Sequence, residues 1–133
     1  MKAKLALAIA GLLIVPMMIP LPLLAHHSFA AVFDENKPVK MQGMVTKVEW
    51  MNPHIWFYLD VKDDKGTVVR WQCEGGNPNT LVRQGWSRDT LKLGSTVDIE
   101  GWRARDGSNT CNARAIMTNG KRLFAGTSNT NAQ

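Results

Sequence analysis

The sequence has little of what common catalytic and nucleic-acid-binding proteins need. It contains two cysteines and three histidines. No G-x-S-x-G, H-E-x-x-H or C-x-x-C motif and no glycine-rich phosphate loop occurs in it, so the usual signatures of hydrolases, metalloproteases and nucleotide-binding enzymes are missing. It also lacks an extended run of lysine and arginine, which argues against a nucleic-acid-binding arm. We therefore expect a protein that binds a ligand rather than an enzyme, with no nucleic-acid partner.

The first 25 residues have the pattern of a signal peptide. Lys2 and Lys4 precede an uncharged run from Leu5 to Leu24, and Ala25 is the small residue that a signal peptidase needs before the cut. The run is also about long enough to span a bilayer, so an uncleaved membrane anchor is the alternative. Three prolines between positions 16 and 22 disfavour a continuous helix there. We predict cleavage after Ala25, a periplasmic or secreted protein, and no stable membrane insertion afterwards.

The rest of the chain is long enough for one domain. We predict an N-terminal extended segment over residues 26–38, the folded domain over 39–125 and a disordered tail over 126–133, where the residues are small and polar. Export would bring Cys73 and Cys111 into an oxidising compartment, where two cysteines often form a disulfide. Two buried free thiols are the alternative, because the sequence gives no distance between them.

Alternating apolar residues predict that this domain is built from strands. The strand patterns cover residues 39–50, 54–62, 67–74, 91–102 and 111–118. The first changes phase after Val45, as a strand with a bulge does. Asn119-Gly120 is a typical hairpin turn and predicts a short return strand through Leu123. From the alternation, we expect the following side chains to be buried: Ile55, Phe57, Leu59, Val61, Val69, Trp71, Val97 and Ile99.

One segment has the signals of a helix. Asn77 suits the N-cap, Pro78 the first helical position and Gly85 the stop. Three strands, a helix and two strands, with a bent first strand, is the element order of the OB fold. We predict an all-β fold with one short helix, a small five-stranded OB-like β-barrel. A small β-sandwich is the rival, but it would not need that helix.

Several motifs resemble those of a family of small exported bacterial proteins of unknown function. They are HHSFAAVFD at 26–34, G-x-V-x-x-V-E-W-x-N-P-H at 43–54, N-P-N-x-L-x-R-x-G-W at 77–86, L-x-x-G-x-x-V-x-x-x-G at 91–101 and D-G-S-N at 106–109. The resemblance implies export and a small β-barrel. It implies no activity, because the family has none assigned.

The first candidate site is a metal site at the predicted mature N-terminus. After cleavage His26 would offer its amine and its imidazole, and His27 a second imidazole. Such nitrogen-rich ligation suits Cu(II), so copper is the candidate cofactor. His54, in the N-P-H turn, is the candidate third ligand. The alternative is that His26 and His27 merely follow the signal peptide, while His54 makes a local hydrogen bond.

The second candidate site is the face of strands two and three that points away from the core. It would carry the residues Trp56, Tyr58, Arg70, Gln72 and Glu74. OB folds often bind ligands on this face by stacking on aromatic rings, so an unidentified protein or small ligand is the expected partner. The alternative is that the N-terminal segment covers Trp56 and Tyr58, because Phe29 and Phe33 also need burial.

Overall fold

The computed structural model describes residues 29–125. The predicted signal peptide, His26, His27 and the predicted tail lie outside this range. The described elements are, in chain order, α1 (Phe29–Val32), β1 (Phe33–Glu49), β2 (Trp56–Lys62), β3 (Val68–Glu74), α2 (Pro78–Arg83), β4 (Thr96–Ala104), β5 (Thr110–Thr118) and β6 (Lys121–Phe124). Within residues 29–125, no helix is long and apolar enough to cross a membrane.

Five strands close into a ring, and β6 extends the sheet beyond β5. The strand order is β3-β2-β1-β4-β5-β6, and β3 also pairs with β5. The β3–β5 ladder is parallel and joins three residue pairs, whereas the other ladders are antiparallel. Three strands, a helix and two strands in one closed ring is an OB-like arrangement, so the predicted fold is confirmed.

The long strand β1 takes part in both halves of the ring because it bends at a bulge. Residues 38–44 pair with β4, and residues 43–49 pair with β2. The register shifts between Val45 and Lys47, which leaves Thr46 as the extra residue of the bulge. The phase change in the sequence after Val45 therefore marks a real irregularity, as predicted.

In the N-terminal segment that is predicted to be extended over residues 26–38, residues 33–38 are extended as the first part of β1, but residues 29–32 are not. Phe29–Val32 form one helical turn, and β1 begins at Phe33 instead of at 39. The reason is a set of contacts with the end of β4. Phe33 pairs with Ala104, the Arg105 amide donates to the Val32 carbonyl at 2.9 Å, and Arg105 Nε donates to the Ala30 carbonyl at 2.6 Å.

The core fills the inside of the ring, and the strand-two register is as predicted. Six of the eight expected core residues are buried: Ile55, Phe57, Leu59, Val61, Val97 and Ile99. The prediction is wrong for Val69 and Trp71, which are only half-buried. These two side chains do face inward, but they lie at the end of the ring away from α2, which we refer to as the open end.

The other end of the ring is closed by the segment between β3 and β4. The helix α2 has Asn77 as its N-cap, whose side chain accepts from the Asn79 and Thr80 amides, and Gly85 follows the helix with φ of 92°. The segment places three apolar side chains in the core: Leu81, Trp86 and Leu91. The predicted helix is therefore confirmed, and we refer to this end as the closed end.

A disulfide joins Cys73 of β3 to Cys111 of β5. The two cysteines are also register partners, in the middle of the three-pair ladder between these strands. Both are fully buried. The bond therefore fastens the ladder that closes the ring.

Candidate functional site

His54 is held by a carboxylate. Its Nδ1 atom contacts Oε1 of Glu74, and the two side chains are 26% and 15% exposed. An N–H at Nδ1 that donates to a carboxylate leaves the lone pair on Nε2. This is how proteins commonly orient a histidine that binds a metal. The contact thus gives the His54 ring an orientation suited to ligation. It reaches across to β3 and is therefore not a local hydrogen bond within the turn.

Backbone bonds fix the turn that carries His54. The Ile55 amide donates to the Gly76 carbonyl at 3.0 Å, and the Gly75 amide donates to the Ile55 carbonyl at 2.8 Å. Asn77 Nδ2 donates to the Pro53 carbonyl at 3.3 Å. The N-P-H turn is therefore attached to the loop that enters α2. Because β3 ends at Glu74, the same loop brings the carboxylate beside the imidazole.

The closure of the ring brings the N-terminal segment towards this pair. On the outer side of the ring, Asn112 of β5, whose side chain is itself buried, is the register partner of both Glu74 and Trp102. Directly opposed residues point to the same side of a sheet, and neighbouring strands lie about 4.8 Å apart. The backbones of Glu74 and Trp102 are thus roughly 10 Å apart across β5.

Phe29 packs on the outer side of this row. Its ring centroid lies 5.3 Å from that of Trp102, edge to face, and 5.6 Å from that of Phe33. The interpretation that Phe29 and Phe33 cover Trp56 and Tyr58 is therefore wrong. The sequence could not reveal this, because it gives no hint that β3 and β5 meet.

A tight approach of β4 and β5 supports this part of the surface. Gly101 lies at a register shift between the two strands, and a Cβ atom there would collide with the Asn112 carbonyl oxygen. Glycine is thus needed at position 101, next to the aligned residues Glu74, Asn112 and Trp102.

Within residues 29–125, no group of three His, Cys, Asp or Glu side chains is arranged to hold a metal ion. His26 and His27 lie outside that range. Of the three predicted metal ligands, the structure therefore describes only His54, together with its partner Glu74.

The predicted ligand face of Trp56, Tyr58, Arg70, Gln72 and Glu74 does lie together on β2 and β3. Trp56 is opposite Glu74, and Tyr58 is opposite Gln72. Gln72 Nε2 donates to Thr110 Oγ1 at 3.0 Å, and Arg70 Nε is 3.7 Å from Asp60 Oδ1. Several of its polar groups are thus already paired within the protein.

Tyr58 belongs to a charged cluster on this face. Its hydroxyl donates to Glu49 Oε2 at 2.9 Å, and Lys47 contacts the same carboxylate while its ammonium lies 5.1 Å from the Tyr58 ring centroid. The hydrogen bond to Glu49 raises the pKa of Tyr58 above its usual value. The hydrogen bonds from Lys47 and Tyr58 lower the pKa of Glu49. The Tyr58 ring is therefore fixed by its neighbours.

The open end of the ring contains a groove that the sequence analysis missed. Its volume is about 430 Å³. The residues that line it are Pro38, Val39, Lys40, Met41, Val61, Asp63, Asp64, Val69, Trp71, Arg103 and Asn109. The available signal was Arg103, which the β4 register places on the core side. A charged residue at a core-facing position is unusual.

Comparison with known proteins places the chain in a sequence family. The family of unknown function DUF6152 matches residues 17–113. The chain belongs to this family. The match to DUF6152 spans His26, His27, His54, Glu74 and Asn112, and thus every residue discussed around the His54 turn.

Comparisons with curated sequences and with solved structures add no indication of function. No curated protein sequence matches the chain. Among solved structures, a similar chain is the N-terminal domain of PriB protein from Thermoanaerobacter tencongensis, whose structure is described as dimeric. It is 21% identical, with 70% of this chain and 90% of that chain covered and a TM-score of 0.33. At this level of similarity, the PriB domain gives no indication of the function of this DUF6152 protein.

Proposed function

We propose that this DUF6152 protein is an exported, non-catalytic protein that binds one Cu(II) ion at its mature N-terminus. The ligands are the amine and imidazole of His26, the imidazole of His27 and Nε2 of His54. The observation that carries the proposal is the His54–Glu74 contact. It orients a histidine for ligation on the same outer surface on which Phe29 packs.

Chain length allows the three histidines to meet. His27 precedes Phe29 by two residues, which span at most about 7 Å. Phe29 packs on Trp102, and the backbone of Trp102 is roughly 10 Å from that of Glu74, the partner of His54. The proposal requires the side chains of His27 and His54 to bridge the remaining distance.

The ligand set selects the metal. Imidazole and amine nitrogens suit Cu(II), which also stands highest among the divalent first-row ions in affinity. The Glu74 carboxylate adds the second shell that commonly fixes a ligating histidine. We therefore expect Cu(II) to bind more tightly than Zn(II).

A titration with metal tests this proposal. The protein is exported from a bacterial host so that the cell makes the cut, and intact mass identifies the first residue. Competition titration with Cu(II) should show one ion per chain. One extra glycine before His26 should remove most of the affinity, because it removes the terminal chelate. His54→Ala should weaken binding less than the extra glycine does, and Glu74→Gln should weaken it about tenfold but no more than His54→Ala does.

The matched control is Glu35→Gln, which removes an exposed carboxylate from β1 and should leave Cu(II) affinity unchanged. Equal affinities with and without the extra glycine would contradict the terminal chelate. A mature protein that retains residues 5–24 would contradict export with cleavage and remove the chelate with it.

A second function is favoured by the position of Phe29 and Phe33. Because Phe29 packs on Trp102 and Phe33 packs on Phe29, neither ring covers Trp56 and Tyr58, whose half-buried side chains then offer a face to a protein or small ligand. In that case Trp56→Ala should abolish partner binding while the ring stays folded. Crosslinking in the living host with wild type, Trp56→Ala and Arg114→Ala tests it. A partner lost only with Trp56→Ala would support this function, and identical crosslinks in all three would contradict it.

A further inference from the structure

The groove at the open end has an unusual wall. Arg103 points to the core side of β4, because its register partner is Cys111 of β5, whose side chain belongs to the core. The guanidinium carbon lies 5.2 Å from the centroid of the Trp71 ring. The open end thus combines one inward cation with an aromatic surface.

The position of Arg103 is fixed by the loop after β4. Nε donates to the Ser108 carbonyl at 2.9 Å, and Nη2 donates to Asn109 Oδ1 at 2.9 Å. Within residues 29–125, no carboxylate forms an ion pair with Arg103 and its Nη1 has no protein acceptor; Asp106, in the loop after β4, interacts with Arg103 only through its charge. A guanidinium has five N–H donors in a rigid fork, so it retains donors for an anion.

The other cation of the groove does not compete for this role. Lys40 lies on β1 opposite Glu100, and its ammonium is 3.5 Å from that carboxylate. Its side chain alternates with Val39 and Met41, which face inward. The charge of Lys40 therefore belongs to the outer surface, and Arg103 is the cation that faces the groove.

The rest of the groove is apolar with an acidic far end. Between β1, β2 and β3 it exposes Val39, Met41, Val61 and Val69. The β2–β3 turn then contributes Asp63 and Asp64. Asp63 Oδ1 accepts from the Lys65 and Thr67 amides, at 2.9 and 2.8 Å, and so holds the turn. A ligand anion is favoured at the Arg103 end and disfavoured at the turn.

We propose that this groove binds a small organic monocarboxylate with an apolar body. The carboxylate contacts the free N–H groups of Arg103, and the apolar body lies over Met41, Val61 and Val69. A volume of about 430 Å³ suits a small ligand. The carboxylates of Asp63 and Asp64 select against a second negative charge at the far end. This site is independent of the copper site.

Calorimetry with three eight-carbon probes tests the assignment. Octanoate should bind once per chain, octylamine about tenfold or more weakly, and the dicarboxylate suberate about twofold to fivefold more weakly than octanoate. Arg103→Met should weaken octanoate binding about tenfold to a hundredfold, since it removes a charge-assisted contact. The control Arg114→Met removes an exposed arginine from β5 and should change nothing.

Two further variants keep the test decisive if Arg103→Met disturbs the fold. Val69→Glu places a carboxylate in the groove and should abolish octanoate binding with Arg103 intact. Asp64→Asn removes a negative charge at the far end of the groove and should reduce the difference in affinity between octanoate and suberate. Equal octanoate affinity in Arg103→Met and Arg114→Met would overturn the proposal. So would equal binding of octylamine, or no octanoate binding at about 10 mM, where a millimolar affinity is measurable.

Discussion

The closed end and the open end of the ring use the same alternation of apolar residues but bury them to different depths. At the closed end, Ile55, Phe57 and Val97 are at most 1% exposed, and Leu81 of α2 completes the core. At the open end, Val69 and Trp71 remain half-buried around the groove. Alternation thus determines which way a side chain faces. Whether it is buried depends on what covers that end of the ring.

The two ends also differ in the chemistry that they offer. The closed end carries His54 and Glu74 on its outer rim. The open end has an inward arginine above a tryptophan. The copper site and the carboxylate site that we propose therefore lie at different ends of the ring, and each can be altered by substitutions that leave the other unchanged.

The largest effect is expected from the closed-end core. Phe57→Ala should lower the free energy of unfolding by about 3–5 kcal/mol, because the ring is fully buried and its loss leaves a cavity. Urea denaturation followed by circular dichroism measures it. A loss below about 1 kcal/mol would show that this end is less tightly packed than its burial indicates.

The next largest effect concerns the fastening of the ring. Replacing both Cys73 and Cys111 by alanine should lower the free energy of unfolding by about 2–4 kcal/mol. The reason is that the disulfide links two residues 38 positions apart in the sequence and so restricts the unfolded chain. The wild-type protein under reducing conditions is the control and should show a similar loss. Unchanged stability in both would mean that the three-pair ladder alone holds β3 to β5.

A matched pair of valines compares the two ends directly. Val97→Ala at the closed end removes two buried methyl groups and should cost about 2 kcal/mol. Val69→Ala at the open end should cost less than about 1 kcal/mol, because its side chain is already partly solvated. Equal losses for the two variants would contradict the difference in packing between the ends.

The smallest effect lies on the outer surface, in the cluster of Lys47, Glu49 and Tyr58. The hydrogen bonds that Glu49 accepts from Lys47 and Tyr58 lower its pKa in the folded state. The unfolded chain therefore binds this proton first as the pH falls. The stability that Glu49 contributes is present above its unfolded pKa of about 4.5 and is lost as the pH falls through the folded pKa.

Denaturation of wild type and Glu49→Gln at several pH values tests this. The stability difference between them should shrink as the pH falls below about 4.5. Tyr58→Phe serves as control, since it keeps the Lys47–Glu49 pair and should retain part of the pH dependence of stability. A stability difference that stays constant with pH would show that the cluster of Lys47, Glu49 and Tyr58 does not contribute pH-dependent stability.

The sequence predicts the elements of this fold well because their signals are local. The bulge after Val45, the Asn77 cap and the Asn119-Gly120 turn each depend on a few neighbouring residues, and each occurs where expected. The parallel meeting of β3 and β5 joins residues 38 positions apart and has no local signal. The disulfide and the position of Phe29 both follow from that meeting, so the sequence alone does not decide the disulfide and gives the wrong contact for Phe29.

The candidate sites divide in the same way. His54 was identified as a ligand from its residue type, but its Glu74 partner follows from the strand-three register and the loop before α2. The groove was missed because Val69 and Trp71 were assigned to the core from alternation alone. Arg103 could have indicated it, since a charge on the core side of a strand needs an explanation.

Electron paramagnetic resonance of the Cu(II)-loaded, natively cleaved protein tests the copper site most directly. One equivalent of Cu(II) should give a single spectrum with nitrogen coupling, and His54→Ala should change that spectrum while one copper stays bound through His26 and His27. Glu35→Gln should leave the spectrum unchanged. A spectrum of aqueous copper in the wild type, or one that His54→Ala does not alter, would contradict the proposed three-histidine site.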